Sequence, residues 1–167
     1  SNSLPEEHLA LQAARTELAA TLLPLGEARR ALELQERVLE IESRTLVPGS
    51  PDLIAARNNL AVTLQYLGDV ARARVLLEQV VTENEHRLPA DHPGLLIGQA
   101  NLAMVMLSMG DAPAARAMLE RIVAAQERLL SEGDRALTAS VRALANAEID
   151  ARRYQEAIDL LRRLIAT

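Results

Sequence analysis

Residues 58–73 read NNLAVTLQYLGDVARA, and residues 100–115 read ANLAMVMLSMGDAPAA. The two stretches lie forty-two positions apart, and the same shift aligns the rest of the chain. Leu18, Leu60, Leu102 and Leu144 fall in one column, followed by Ala19, Ala61, Ala103 and Ala145. Further columns hold Ala31, Ala73, Ala115 and Ala157; Leu34, Leu76, Met118 and Leu160; and Val38, Val80, Ile122 and Leu164. Gly26, Gly68 and Gly110 form another, which ends in Arg152. A fixed period of this length marks one supersecondary unit written several times. A single unit cannot bury its own apolar side, so neighbouring units must stack.

Each unit reads as two helices. The first ends at the Gly column, because the residue after a helix end often adopts the left-handed conformation that Gly reaches without penalty. Asp69 and Asp111 follow, placed to cap the second helix or to offset its N-terminal dipole. Pro113 sits near a first-turn position, where its missing N–H costs little. Ser50-Pro51, His92-Pro93 and Asp134-Arg135 share the column that opens a unit. Second helices carry apolar residues at spacings of three and four, as in Ala31, Leu34, Val38 and Ile41. The expected helices span 4–24, 27–46, 51–67, 70–88, 93–109, 112–131, 135–150 and 154–166. They make an all-α chain of eight antiparallel helices joined by short turns. The Ala columns let helix backbones approach closely. Glu148 stands where Leu22, Leu64 and Met106 supply apolar bulk, so the seventh helix is expected to be partly exposed, or rotated so that Ile149 fills the gap.

The order Asn-Leu-Ala, then Leu/Met-Gly-Asp, then Ala and a second amphipathic helix resembles the tetratricopeptide repeat. The forty-two-residue period with ADHPGLL and ANLA between units is most similar to the longer repeats of kinesin light chain type, which also occur in bacterial regulatory proteins. The resemblance implies a right-handed α-solenoid of about four helix-turn-helix repeats, at about 4–50, 51–92, 93–134 and a truncated 135–167, in one array over 4–167. Residues 1–3 read as a cloning scar. The chain departs from the family in replacing most of its bulky aromatics by Leu, Val or Ala.

Composition narrows the function. The chain has 167 residues, no Cys, and 18 basic residues that are all Arg. Without Cys there is no disulfide, thiol nucleophile or thiolate metal site, which fits a reducing cytoplasm; the Ala, Leu and Arg bias points to a GC-rich, bacterial genome. The net charge is −5, and the Arg residues are interleaved with Glu and Asp, against a nucleic-acid partner. Arg152, Arg153, Arg162 and Arg163 form the densest basic cluster. Pro93 to Gly110 is eighteen residues without a charge, but Gln99, Asn101 and Ser108 interrupt it, and a helix packed on several sides is expected rather than a membrane span. His8, His86 and His92 occupy three different repeat positions with no metal-ligand spacing, and His92 suits a helix cap. Carboxylates such as Glu6-Glu7 or Glu83-Glu85 do not face each other. No catalytic residue, cofactor or metal is expected, and the chain is not read as an enzyme.

What remains is surface. In tetratricopeptide arrays the first helix of each pair lines a concave groove. The resemblance therefore nominates Asn58, Val62, Gln65 and Tyr66; Ile97, Ala100, Met104 and Ser108; and Arg142 and Asn146 as a peptide-binding groove. Ala13, Thr16, Ala20, Leu23 and Pro24, with Ala55, Leu107, Ala139, Ile149 and Asp150, occupy the same columns. The alternative for Met104 is ordinary core, and Asn59 and Asn101 are read first as inter-repeat hydrogen bonds. With no Lys, the clamp by which some family members hold a C-terminal carboxylate is missing. The expected function is an interaction scaffold for a peptide or amphipathic helix, within a larger regulatory protein. Its alternative is a self-associating spacer, a homodimer through Leu160, Leu161, Leu164 and Ile165 on the last helix.

Overall fold

The computed structural model describes residues 5–131 and 133–165. Among the described residues eight helices follow one another: α1 (Leu9–Leu22), α2 (Ala28–Thr45), α3 (Pro51–Tyr66), α4 (Val70–Glu85), α5 (Pro93–Ser108), α6 (Ala112–Leu129), α7 (Arg135–Asp150) and α8 (Tyr154–Ile165). All eight match the expected pairs. The first helix starts at Leu9 rather than near residue 4: His8 is its cap, its Nδ1 accepting from the Ala10 N–H at 3.2 Å. The expected starts and ends at residues 1–4 and 166–167 lie outside the described residues. The chain divides into two compact units, Ser1–Glu83 and Asn84–Thr167. In the first, α1 packs on α2 and α2 on α3; in the second, α5 packs on α6, α6 on α7 and α7 on α8.

The turns repeat atom for atom. The Asp69 N–H donates to Leu64 O at 2.9 Å, Asp111 to Met106 O at 2.9 Å, Glu27 to Leu22 O at 3.1 Å and Arg153 to Glu148 O at 2.8 Å. These bonds close a left-handed helix terminus and satisfy carbonyls that the helix itself leaves open. They require positive φ at the preceding residue, which is +81° at Gly26, +85° at Gly68 and +82° at Gly110. In the fourth turn Arg152 adopts the same conformation at φ 58°. The starts are capped in the expected column: Ser50 Oγ accepts from the Leu53 N–H at 3.4 Å, His92 Nδ1 from Gly94 at 3.1 Å and Asp134 Oδ1 from Ala136 at 2.8 Å. Asp69 and Asp111 cap α4 and α6 through the N–H groups of Arg72 and Ala114.

The cores follow the columns. Ala19, Ala61, Ala103 and Ala145 are each 0% exposed, as are Ala31, Ala73 and Ala115. Ala19, Leu22 and Ala31 cluster in the first unit; Ala103, Ala115, Leu119, Ile122 and Leu144 belong to the core of the second. Leu60, Leu102 and Leu144 are all buried, but Leu18 is 47% exposed. No described helix precedes α1, whereas α3 has α2 to pack on and α7 has α6.

Two expectations about α7 are corrected. Its Glu148 is only 4% exposed and Ile149 lies exposed instead of filling the gap. The carboxylate stays buried because cations reach it: Arg153 Nε lies 3.2 Å from Oε2, and Arg116 Nη1 lies 3.9 Å from Oε1. The contact with Arg153 is an ion pair without hydrogen-bond alignment, since Oε2 accepts no hydrogen bond. Ionic pairing has replaced apolar bulk at this position.

Two substitutions test this architecture. Left-handed backbone costs a non-Gly residue about 1–2 kcal/mol, and Gly returns part of that as backbone entropy. Arg152→Gly should therefore raise unfolding stability by about 0.5–1 kcal/mol in urea titration. Ala73→Leu should lower it by about 1–3 kcal/mol through overpacking.

Candidate functional site

The residues nominated on the first helices fall on two units, and each is described within its own. In the second unit, α5 and α7 bring Ile97, Ala100 and Met104 together with Arg142 and Asn146 around a cavity of about 280 Å³. Of the residues nominated on these helices, Ile97, Ala100, Met104, Ala139, Arg142 and Asn146 meet there, whereas Leu107, Ser108, Ile149 and Asp150 lie off the cavity. Ser108 Oγ donates to Met104 O at 3.0 Å. Met104 is exposed and Ala100 half-buried, its inner side packed on the core. Asn101 also lines the space, with Ala136, Ser140 and Ala143 from α7.

The floor comes from a helix that the sequence reading did not nominate. Gln126, on α6, is 4% exposed, lines the same cavity, and its Oε1 accepts no hydrogen bond. An amide oxygen buried without a donor costs about 1–3 kcal/mol. The hollow beside it mixes apolar Ile97, Ala100 and Met104 with polar Asn101 and Ser140. Arg142 and Asn146 supply polar groups at the exposed edge.

In the first unit, α3 carries Asn58, Val62, Gln65 and Tyr66. Val62 and Tyr66 are exposed, and Asn58 and Gln65 are half-buried. None of the four lines a cavity described within this unit. A cavity of about 340 Å³ there lies between α1 and α3 over the end of α2. It takes in Ala13, Thr16 and Ala55 from the nominated columns, and Asn59. The rest of its wall was not foreseen: Leu9, Gln12, Glu17, Glu42, Asp52 and Ala56. Glu42 is 7% exposed, and its Oε2 accepts no hydrogen bond. Burial raises the carboxyl above its usual titration range, and repulsion from Asp52 adds to this. A polar letter at positions 42, 84 and 126, on helices otherwise apolar toward their neighbours, was the available signal.

Three of the four arginines in the basic cluster near the end of the chain are engaged in ion pairs. Arg153 pairs with Glu148 and Glu156, Arg162 with Asp159 at 3.6 Å, and Arg163 with Glu127. On the self-association face, Leu160 and Leu164 pack partly on the second core, Leu161 is half-buried and Ile165 is exposed. No helix among the described residues is long and apolar enough to cross a membrane. Among the same residues, no group of three or more His, Asp or Glu is arranged to hold a metal ion.

No curated protein matches the sequence. Solved structures do. The nearly identical TPR-like repeats of a candidate kinesin light chain from Podosopora anserina are 34% identical over 98% of this chain and 78% of their own, with a TM-score of 0.79. A variant of that protein gives 34% identity, 98% and 77% coverage, and a TM-score of 0.82. BtubC (BKLC) from P. vanneervenii is 21% identical over 99% of this chain and 65% of its own, and its TM-score of 0.81 speaks for the fold alone. The tetratricopeptide repeat family model matches residues 10–82 and 91–167, the stretches that carry the Ala, Leu and Gly columns. The chain belongs to the tetratricopeptide repeat family, with structural neighbours of kinesin-light-chain type.

Proposed function

We propose that this chain is a protein-interaction module that holds a peptide, or the amphipathic helix of a partner, against the first helices of its hairpins, as part of a larger regulatory protein. Tetratricopeptide repeats are generally modules of this kind. The observation that carries the reading here is the α5–α7 cavity. It is lined by Ile97, Ala100 and Met104, and holds an unsatisfied Gln126 acceptor at its base. Apolar walls with a few placed polar groups are what a side-chain pocket needs: burial supplies affinity and hydrogen bonds supply orientation. Met104 is suited to several apolar shapes, because its unbranched thioether repacks at low cost. No constellation on these faces joins a nucleophile, a base and an oxyanion donor, so the surface is read as one that binds rather than reacts.

A second reading, self-association through α8, draws on Ile158 and Ile165, both exposed. It is weakened by Leu160 and Leu164, which are already partly occupied by the core.

Capture of partners from native lysate by the immobilised protein should be specific and should fall at least about tenfold for Met104→Glu, since a buried unpaired charge costs several kcal/mol. The helical circular-dichroism signal should not change. Capture that survives in this variant removes the cavity from the function. Light scattering should give a monomer mass independent of concentration; a dimer that Ile165→Asp dissociates would favour the second reading instead.

A further inference from the structure

The two cavities are one structural position written twice. Of the ten residues around the α1–α3 cavity, eight have counterparts eighty-four positions on, two full periods, around the α5–α7 cavity. The backbone framework is the same, but the chemistry is not. Glu17 corresponds to Asn101, Glu42 to Gln126 and Asp52 to Ala136. Three carboxylates in one copy have become two amides and a methyl group in the other.

In the first copy the carboxylate at the floor is the unusual group. Glu42 is more than nine-tenths buried, lines the cavity, and has an oxygen with no hydrogen-bond donor. Glu17 on α1 and Asp52 on α3 share the wall, and among the described residues no cationic side chain lines it. The nearest guanidinium on α1, Arg15, is turned to the Gln12 Oε1 at 3.1 Å and to Glu6 at 3.4 Å. A buried carboxylate without a partner costs several kcal/mol unless it takes up a proton or meets a cation. The rest of the wall mixes Gln12, Thr16 and Asn59 with Leu9, Ala13, Ala55 and Ala56, the last four able to receive an alkyl stem, and about 340 Å³ is room for one extended basic side chain. A bare metal ion is a poor fit, since no group of three acidic or imidazole ligands converges among the described residues.

We propose that the α1–α3 cavity over Glu42 receives the basic side chain, guanidinium or ammonium, of a bound polypeptide. This rests on the peptide-binding reading above and gives the first unit its own selectivity: a cation here, and an apolar or N–H-bearing group in the twin cavity of the second unit. Entry of the cation favours the ionised form of Glu42 and so expels its proton, which makes capture tighten as pH rises through the Glu42 titration. The charged groups around it are Glu17, with Arg15 behind Gln12, on α1 and Asp52 on α3.

The test uses the whole protein, labelled with nitrogen-15, and two capped pentapeptides, Ala-Ala-Arg-Ala-Ala and the same sequence with citrulline, which keeps the shape of arginine but is neutral. The arginine peptide should shift amide signals of α1, α3 and the end of α2 saturably, and the citrulline peptide should bind at least about tenfold more weakly, since a charge-assisted pair is lost. Glu42→Gln, which copies the residue of the twin cavity, should erase that difference. Equal affinity for the two peptides, no saturable shift with arginine, or discrimination that survives in Glu42→Gln would each overturn the proposal. The variant is expected to fold. With its folded titration raised, Glu42 contributes stability at low pH that is lost as pH rises through the folded value. Glu42→Gln should abolish that decline in urea unfolding, which also verifies that the carboxylate is buried. Failure of the arginine peptide leaves the Met104→Glu capture assay untouched, so the two readings fail separately.

Discussion

Close approach of helix backbones is the constraint from which the rest of this structure follows. Ala19 and Ala31 meet in one core, and Ala103 and Ala115 in another, all without exposed surface. A methyl side chain is the largest that such crossings admit without displacing a helix. Once the crossings are set, larger residues at neighbouring columns, such as Leu64, Leu119 and Ile122, are forced to the buried side. Each of them contributes on the order of 1.5–3 kcal/mol by leaving water. The turns cooperate, because each closes through the same left-handed residue and the same returning N–H.

That repetition separates position from chemistry. A place between successive first helices, floored by the second helix between them, occurs in each of the two units. In one copy it carries Glu17, Glu42 and Asp52; in another it carries Asn101, Gln126 and Ala136. The same economy is seen in the ion pairs. Glu148 sits in a column of apolar residues and remains buried because Arg153 and Arg116 reach it. A repeat framework tolerates such exchanges because each site depends mainly on its nearest neighbours. Chemistry can therefore change at one site without disturbing the packing of the next.

Most of the fold was legible in the letters. Helix boundaries at Ser50, His92 and Asp134 follow from capping side chains before a run of helix formers, and the Gly columns mark where helices end. These are local effects with local signatures. The misreadings were cooperative ones. Glu148 broke the apolar column, and the sequence held no sign that two arginines from other turns and helices would converge on it. Leu18 follows its column by letter but is exposed where Leu60 is buried.

For the candidate sites the division falls in the same place. The forty-two-residue spacing by itself determined that Ile97, Ala100, Met104, Arg142 and Asn146 share a register, because equal positions in equal hairpins must point the same way. It did not reveal that Gln126 or Glu42 would form the floors beneath the first helices. Those residues belong to second helices, and only the packing of one helix across two others brings them to a cavity and withholds a donor from their oxygens. Register is a property of the chain. Whether a polar atom is left without a partner depends on everything packed around it, which only the tertiary structure decides.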